Sequence, residues 1–310
     1  MQSPWFKWRV SWRNVPWVVG WAGGLWGAWL FLRSGNFILG LLILLLSLGL
    51  LWGRAGISIL STLNRFCLNP ALPDTKPTSP WSWGCYLFGY NLFLTIISAT
   101  FVAFPMGKHL GASSIAGIPR PWIWVLFAPV TEELLFRLPL RYSVINFTIT
   151  ALLITLLTVR RLLLKLGSFG LATATERWLW SAVFAILVGS VLFVLLRSEP
   201  LTRLVKNIWL NHFRSVLYAS CFAFGLVHIF NFRFTALTAE TLLLAPLLVL
   251  PQIISGFILA FTRLHLGIIW CIALHAANNF LVVVWVTIGP VRPRSSGTIL
   301  LFEVIRNCFG

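Results

Sequence analysis

Acidic residues are scarce in this 310-residue chain: Asp and Glu number seven against twenty-four Lys and Arg, and charged residues make up only 10% of the whole. A soluble domain carries about a quarter charged residues and just under half apolar ones. With 58% of the residues hydrophobic, no aqueous fold hides so much apolar surface, and lipid is the solvent for much of the chain. A long polar stretch is missing as well. That excludes a nucleic-acid-binding domain, which needs a polar body bearing a basic patch. No nucleic-acid partner is expected, and the net charge of +17 reads as Lys and Arg facing anionic lipid headgroups. The five cysteines, Cys67, Cys85, Cys221, Cys271 and Cys308, form no CxxC pair. They read as small buried residues, not as a disulfide framework or a zinc site.

Trp, by contrast, is abundant, with seventeen residues that cluster at the ends of apolar runs, such as Trp81 and Trp83, Trp122 and Trp124, and Trp178 and Trp180. This is the placement of an aromatic belt at the headgroup level. The apolar runs are continuous, not alternating, which predicts an all-α polytopic bundle and not a barrel. Candidate spans lie near 15–32, 37–53, 81–104, 121–137, 143–158, 178–196, 215–230, 241–262 and 266–288. Two of them, 121–137 and 143–158, are short, so one is read as re-entrant or partly buried. Seven to nine helices are expected around a polar intramembrane cavity. The stretches 54–80 and 197–212 read as polar connections, the first rich in Pro turns.

Lys7, Arg9 and Arg13 precede the first apolar run without a small-residue cleavage site behind it, which points to a retained span. Positive charge near the N-terminus and in 54–80 favours a cytoplasmic N-terminus. The chain is thereby organised as N-terminal helices and a loop over 1–110, a second bundle over 111–290, and a short tail over 291–310.

Scarcity makes the acids informative. Asp74, Glu176, Glu199, Glu240 and Glu303 lie in loops, at span ends or in the tail, whereas Glu132 and Glu133 sit inside the apolar segment that ends at Arg137. Two carboxylates at membrane depth cost a few kcal/mol each even on lenient insertion scales (~2.5–3.5 kcal/mol). Adjacent helical positions diverge by about 100°. Arg137, four residues after Glu133, shares its face and pairs with it, which leaves Glu132 for another task. A structural ion cluster is the bland alternative.

His228 ends one apolar span and His275 lies in the last; Asn279, one turn beyond His275, shares its face. Together with Asn231 and Asn278 these groups need partners that lipid does not offer, and the economical solution gathers them with Glu132 around a water-accessible cavity. His109, His212 and His265 read as interfacial. Such a cavity has the parts for hydrolysis: a desolvated glutamate to deprotonate water, a neutral His to orient it, and a His–Asn pair to donate to an oxyanion. The same ligand types, Glu132, His228 and His275, are also those that would hold a metal to activate water. Other intramembrane hydrolytic chemistries lack their parts. HExxH and Gly-x-Ser-Gly are absent, and Asp74 is the only aspartate, so an aspartate dyad is excluded.

Three motifs occur in order on apolar segments: Glu132-Glu133-Leu-Leu-Phe-Arg137, Phe224-Gly-Leu-Val-His228 and His275-Ala-Ala-Asn-Asn279. In these the chain resembles the CAAX-protease and bacteriocin-processing (CPBP, or Abi) family of intramembrane proteases, whose pattern is EExxxR, FxxxH and HxxxN. The resemblance covers rather more than half the chain, from about Pro121 to Val286. It implies a glutamate protease in which Glu132 activates water and His228 orients it. Glu133 and Arg137 support the site, with Phe224 and Asn231 beside it, and His275 and Asn279 stabilise the oxyanion. It implies no cofactor, and a divalent metal stays open as the alternative. The partners would be a peptide or lipidated protein substrate and membrane lipid; separately, the absence of a transit peptide and the compact form favour a bacterial inner membrane.

The chain departs from the family in a longer stretch between Arg137 and Phe224, an apparent insertion near 143–212, and in Leu138-Pro139 where many members have Gly. These bear on the substrate, for which prenyl-protein processing, bacteriocin maturation and self-immunity are all open. A membrane scaffold or chaperone that uses the same cavity, and a proton-coupled transporter, are the competing classes. The lack of an internal repeat speaks against the transporter.

Overall fold

A computed structural model describes residues 54–73, 77–106, 123–167, 173–232 and 238–288. The expected spans 15–32 and 37–53, His109, Cys308 and the tail over 291–310 lie outside the described residues. Every regular element among the described residues is helical: α1 (Arg54–Leu68), α2 (Pro80–Met106), α3 (Ala128–Phe136), α4 (Val144–Gly167), α5 (Ala174–Arg197), α6 (Glu199–Asn211), α7 (Phe213–Val227), α8 (Ala239–Leu248), α9 (Leu250–His265) and α10 (Ile268–Ile288). Among the described residues, four stretches are long and apolar enough to cross a bilayer: Val144–Lys165, Ala174–Arg197, Phe213–Asn231 and the composite Ala239–His265; Ile268–Leu281 is a shorter apolar helix. The chain is a membrane protein.

Two expected connections are helices. Over 54–80 the first half forms α1, whose Ile59, Leu63 and Phe66 at helical spacing enter the core. Over 197–212 the chain forms α6, which starts with Glu199 and Pro200 and buries Trp209. Their average polarity conceals a 3.6-residue apolar period. The α4 helix also outruns its expected end at 158, because Arg160, Arg161 and Lys165 continue the helix as good helix formers.

The core is built on α9, against which α2, α7, α10 and α1 pack. Two glycines set the α7–α9 crossing. A Cβ on Gly225 would stand 2.3 Å from Ile253 Cγ1 and 3.1 Å from Ile253 N, and one on Gly256 would stand 3.2 Å from the Cys221 carbonyl oxygen. The helices therefore touch backbone to backbone. The composite span breaks at Val249 (φ −99°, ψ 11°), between Pro246 and Pro251, because a proline ring in the helix interior removes a hydrogen bond and crowds the preceding turn. The α9–α10 turn contains Gly267 at φ +106°, a left-handed conformation that a side chain rarely adopts.

The α4–α5 pair forms the region between the motifs. Gly189 of α5 packs on Leu152 of α4, and the Arg160 guanidinium lies 4.1 Å from the Trp178 ring, so the two helices run antiparallel. A capping box starts α5: Thr173 Oγ1 accepts from the Glu176 N–H, and Glu176 Oε2 accepts from the Thr173 N–H. The outward side of α5 exposes Leu179, Val183, Ile186, Leu187 and Val194.

Candidate active site

The segment that carries Glu132 and Glu133 is a short helix with proline at each end. Ile123–Phe127 winds as a π-helix directly before α3. Pro129 has no N–H for the Val125 carbonyl, and widening the turn accommodates its ring. At the other end the Arg137 N–H makes the last helical bond, to the Glu133 carbonyl at 3.0 Å. Pro139 then turns the chain through the 3₁₀ segment Leu138–Leu140. The Leu138-Pro139 pair is thus the stop that holds α3 to nine residues.

Glu133 is fully buried and held from three directions. His275 Nδ1 donates to its Oε1 at 2.7 Å, the Cys271 thiol donates to its Oε2 at 2.8 Å, and Arg137 Nε stands 3.6 Å from the same Oε2. Arg137 is itself fully buried. Its Nη2 donates to the Gly256 carbonyl at 3.4 Å, and its guanidinium carbon lies 3.8 Å from the centroid of the Phe224 ring, a cation–π contact that offsets part of the desolvation cost. A Cβ on Gly256 would reach within 3.3 Å of that Nη2, so the same glycine that lets α7 and α9 meet makes room for the guanidinium. Arg263 donates to the carbonyls of Arg137 and Leu138 at 3.2 and 3.4 Å, and Arg141 donates to the Leu264 carbonyl. These bonds tie the buried segment that follows α3 to α9.

Glu132 points elsewhere, as the 100° offset requires. Its side chain is 28% exposed, and its Oε2 lies 3.8 Å from His228 Nε2 and 3.8 Å from His275 Nε2. That oxygen has no hydrogen-bond partner. Both histidines have their other nitrogen committed to an acceptor: His228 Nδ1 lies 2.7 Å from the Phe224 carbonyl oxygen and His275 Nδ1 lies against the Glu133 carboxylate. The proton therefore sits on Nδ1 in each, and in the neutral ring Nε2 offers a lone pair. One carboxylate oxygen and two imidazole lone pairs converge at distances too long for direct bonds, a set that accepts the two protons of a water placed among them.

Phe224 is the wall common to these groups. It is buried, with its ring under Arg137 and in edge contact with His228 (4.8 Å between centroids), His275 (5.8 Å) and Phe136 (5.7 Å). Its place four residues before His228 also supplies the carbonyl that fixes the His228 tautomer.

Glu132, Glu133, Arg137, Phe224, His228 and His275, from four segments, thus meet at one point. Asn279 lies buried one turn beyond His275. Asn231 ends the 3₁₀ turn after α7, and among the described residues it makes no hydrogen bond to the carboxylates. No model of a protein family matches the chain, and no curated protein or solved structure is significantly similar to it. No group of three or more His, Cys, Asp or Glu among the described residues is disposed to hold a metal ion.

Two readings gain detail. His265 ends α9 beside the turn at Gly267, with its ring buried 3.9 Å from that of Phe261 and 5.7 Å from that of Trp83. Cys271, read only as a small buried residue, bonds the Glu133 carboxylate. Its place one turn before His275 was the signal that it shares that face. Nothing in the residue pattern marks Gly256 or Arg263, whose roles arise from α9 crossing α7 and α3. Cys67, outside the spans, has its thiol pushed up to about 11 by burial, which makes it a poor nucleophile at neutral pH.

Proposed function

We propose that the protein is an intramembrane endopeptidase that hydrolyses a peptide bond of a membrane-associated or lipidated protein with a glutamate-activated water. The convergence of Glu132 Oε2 with His228 Nε2 and His275 Nε2 carries this reading. In it, Glu132 takes a proton from the water and the lone pair of His228 orients the water toward the scissile carbonyl. Glu133 holds the His275 ring in place, and His275 and Asn279 flank the oxyanion as it forms at the scissile carbonyl. The protonated Glu132 then returns its proton to the leaving amine.

The motif order Glu132-Glu133-xxx-Arg137, Phe224-xxx-His228, His275-xxx-Asn279 supports placing the chain beside the CPBP intramembrane proteases. A multi-pass bundle of seven to nine spans in a bacterial inner membrane belongs to the same proposal. The short, proline-bounded α3 supports it too, since a nine-residue helix spans about 13 Å and brings its carboxylates into the bundle without crossing it.

The test is cleavage of fluorogenic prenylated and unprenylated peptides by purified wild type and Glu132→Gln, with and without chelator. Removing a general base lowers turnover by about 10²–10⁴-fold, and that loss with Glu132→Gln, unaffected by chelator, is the expected result. Loss with chelator would move the chemistry to a metal held by Glu132, His228 and His275. A wild type inert on every peptide, with Glu132→Gln fully functional in cells, would favour a scaffold.

A further inference from the structure

One buried polar group plays no part in that chemistry. Asn91, on α2, is fully buried, and neither its Oδ1 nor its Nδ2 has a hydrogen-bond partner. The same is true of Thr95 Oγ1, one turn further on, and of Asn278 Oδ1 on α10. Thr95 and Asn278 are each 2% exposed. An amide left unpaired in an apolar interior costs stability, so a group with donor and acceptor both vacant points to a partner that enters from outside.

Helix geometry shows where these groups face. The α2 and α10 helices begin side by side: the Trp81 and Trp270 rings meet edge to face at 4.7 Å, and a Cβ on Gly84 would stand 2.6 Å from Trp270. Trp83 stacks on Phe261 and His265 at the end of α9, and α2 then continues along α9 to α8. It therefore runs antiparallel to α9 and parallel to α10. Asn91 and Thr95 lie seven and eleven residues beyond Gly84, each within about 20° of its face at 100° per residue, so both look toward α10. Asn278 lies eight residues beyond Trp270, at the same level as Asn91, about 10–12 Å along both helices. On α10 it falls on the arc between Trp270, which touches α2, and His275, which touches Glu132 and Glu133.

We infer that Asn91, Thr95 and Asn278 form a latent binding site for the main chain of an extended peptide, filled when a substrate enters between α2 and α10 on its way to Glu132. A carboxamide carries the same donor and acceptor as a peptide group and pairs with one in two bonds. A hydrolysable segment must present an unwound main chain whose N–H and C=O groups lipid does not satisfy. The inference rests on the endopeptidase reading for the fate of the peptide, but the binding itself is separable from cleavage.

The experiment uses full-length protein in nanodiscs and an apolar peptide of about 20 residues with a central Gly-Ser-Gly and a diazirine beside it. A second peptide is identical except for N-methylated central amides. Binding is measured to Glu132→Gln, with and without Asn91→Leu or Thr95→Val. The expected result is binding to Glu132→Gln with photocrosslinks on α2 and α10 beyond Gly84 and Trp270. The N-methylated peptide binds about tenfold more weakly, as loss of one good hydrogen bond gives. Asn91→Leu abolishes the difference between the peptides and raises the unfolding temperature. Equal binding of the two peptides to Glu132→Gln, no binding of either, or a difference that survives both substitutions overturns the site. Asn91-dependent binding with no cleavage by wild type keeps the site and sinks the protease; cleavage with indifferent binding does the reverse.

Discussion

At the scale of single residues, the two adjacent glutamates divide their work because a helix points them about 100° apart. Glu133 turns into the core, where Arg137, His275 and Cys271 surround it; Glu132 turns to a partly exposed side of α3, where its oxygen faces two imidazole lone pairs. Glu133 and Arg137 are both fully buried and compensate each other as an ion pair. Removing one leaves the other uncompensated, at a cost of about 3–5 kcal/mol. Arg137→Met alone is therefore expected to lower the unfolding midpoint sharply in detergent denaturation. The double variant Glu133→Leu/Arg137→Met should recover most of that stability while cleavage stays lost, because His275 has then lost the carboxylate that holds its proton on Nδ1. A double variant as unstable as Arg137→Met would show that the pair is not coupled. Both carboxylates and both histidines were legible from the sequence, since acids and histidines inside apolar runs stand out. Asn91 was not: one Asn among Tyr90, Leu92 and Phe93 carries no spacing signal, and only its burial on α2 without a partner makes it conspicuous.

At the scale of elements, α3 is short because Pro129 and Pro139 bracket it, and the α7–α9 crossing is close because Gly225 and Gly256 lack side chains. These two features set the depth of Glu132 and the distance at which Phe224 and His228 face it. A valine at 225 must push against Ile253 Cγ1 and its backbone together, so the helices have to separate. Gly225→Val is expected to cost about 1–3 kcal/mol, as overpacked cores do, and to lower turnover on any cleaved peptide more than it raises KM. Thermal unfolding and steady-state kinetics of the variant check this; unchanged stability would mean that α7 slides freely on α9. The apolar runs located the long helices to within a few residues at most ends. They did not reveal α1 and α6, whose mixed composition reads as loop until the apolar positions are counted at intervals of three and four.

At the scale of the whole molecule, the bilayer serves as the solvent for surfaces that no packing covers. The α5 helix keeps Ser181, Ala185 and Gly189 buried and leaves Leu187 57% exposed near its middle, an arrangement that water would penalise and lipid does not. A charge placed there meets hydrocarbon. Leu187→Arg is expected to reduce membrane-integrated protein, by a cost of about 2.5–3.5 kcal/mol on insertion scales. Leu179→Arg, one turn from the start of the same helix, should be tolerated by snorkelling. Fractionation of the expressed variants distinguishes the two, and equal yields would put α5 outside the bilayer core.

Composition determined the solvent, because no aqueous fold hides so many apolar residues, and the continuity of the apolar runs determined the helical class, because a barrel strand would alternate. Spacing alone determined which of Glu132 and Glu133 pairs with Arg137 and which face holds His275, because the helical period is local. The tertiary structure decided the rest: that His228 and His275 reach the same glutamate oxygen, that Phe224 floors the site, that Gly256 admits Arg137, and that Asn91 lies buried with no partner. Each depends on how far apart two helices stand and at what level they meet, and those quantities follow from packing among residues far apart in the chain, which no local pattern encodes.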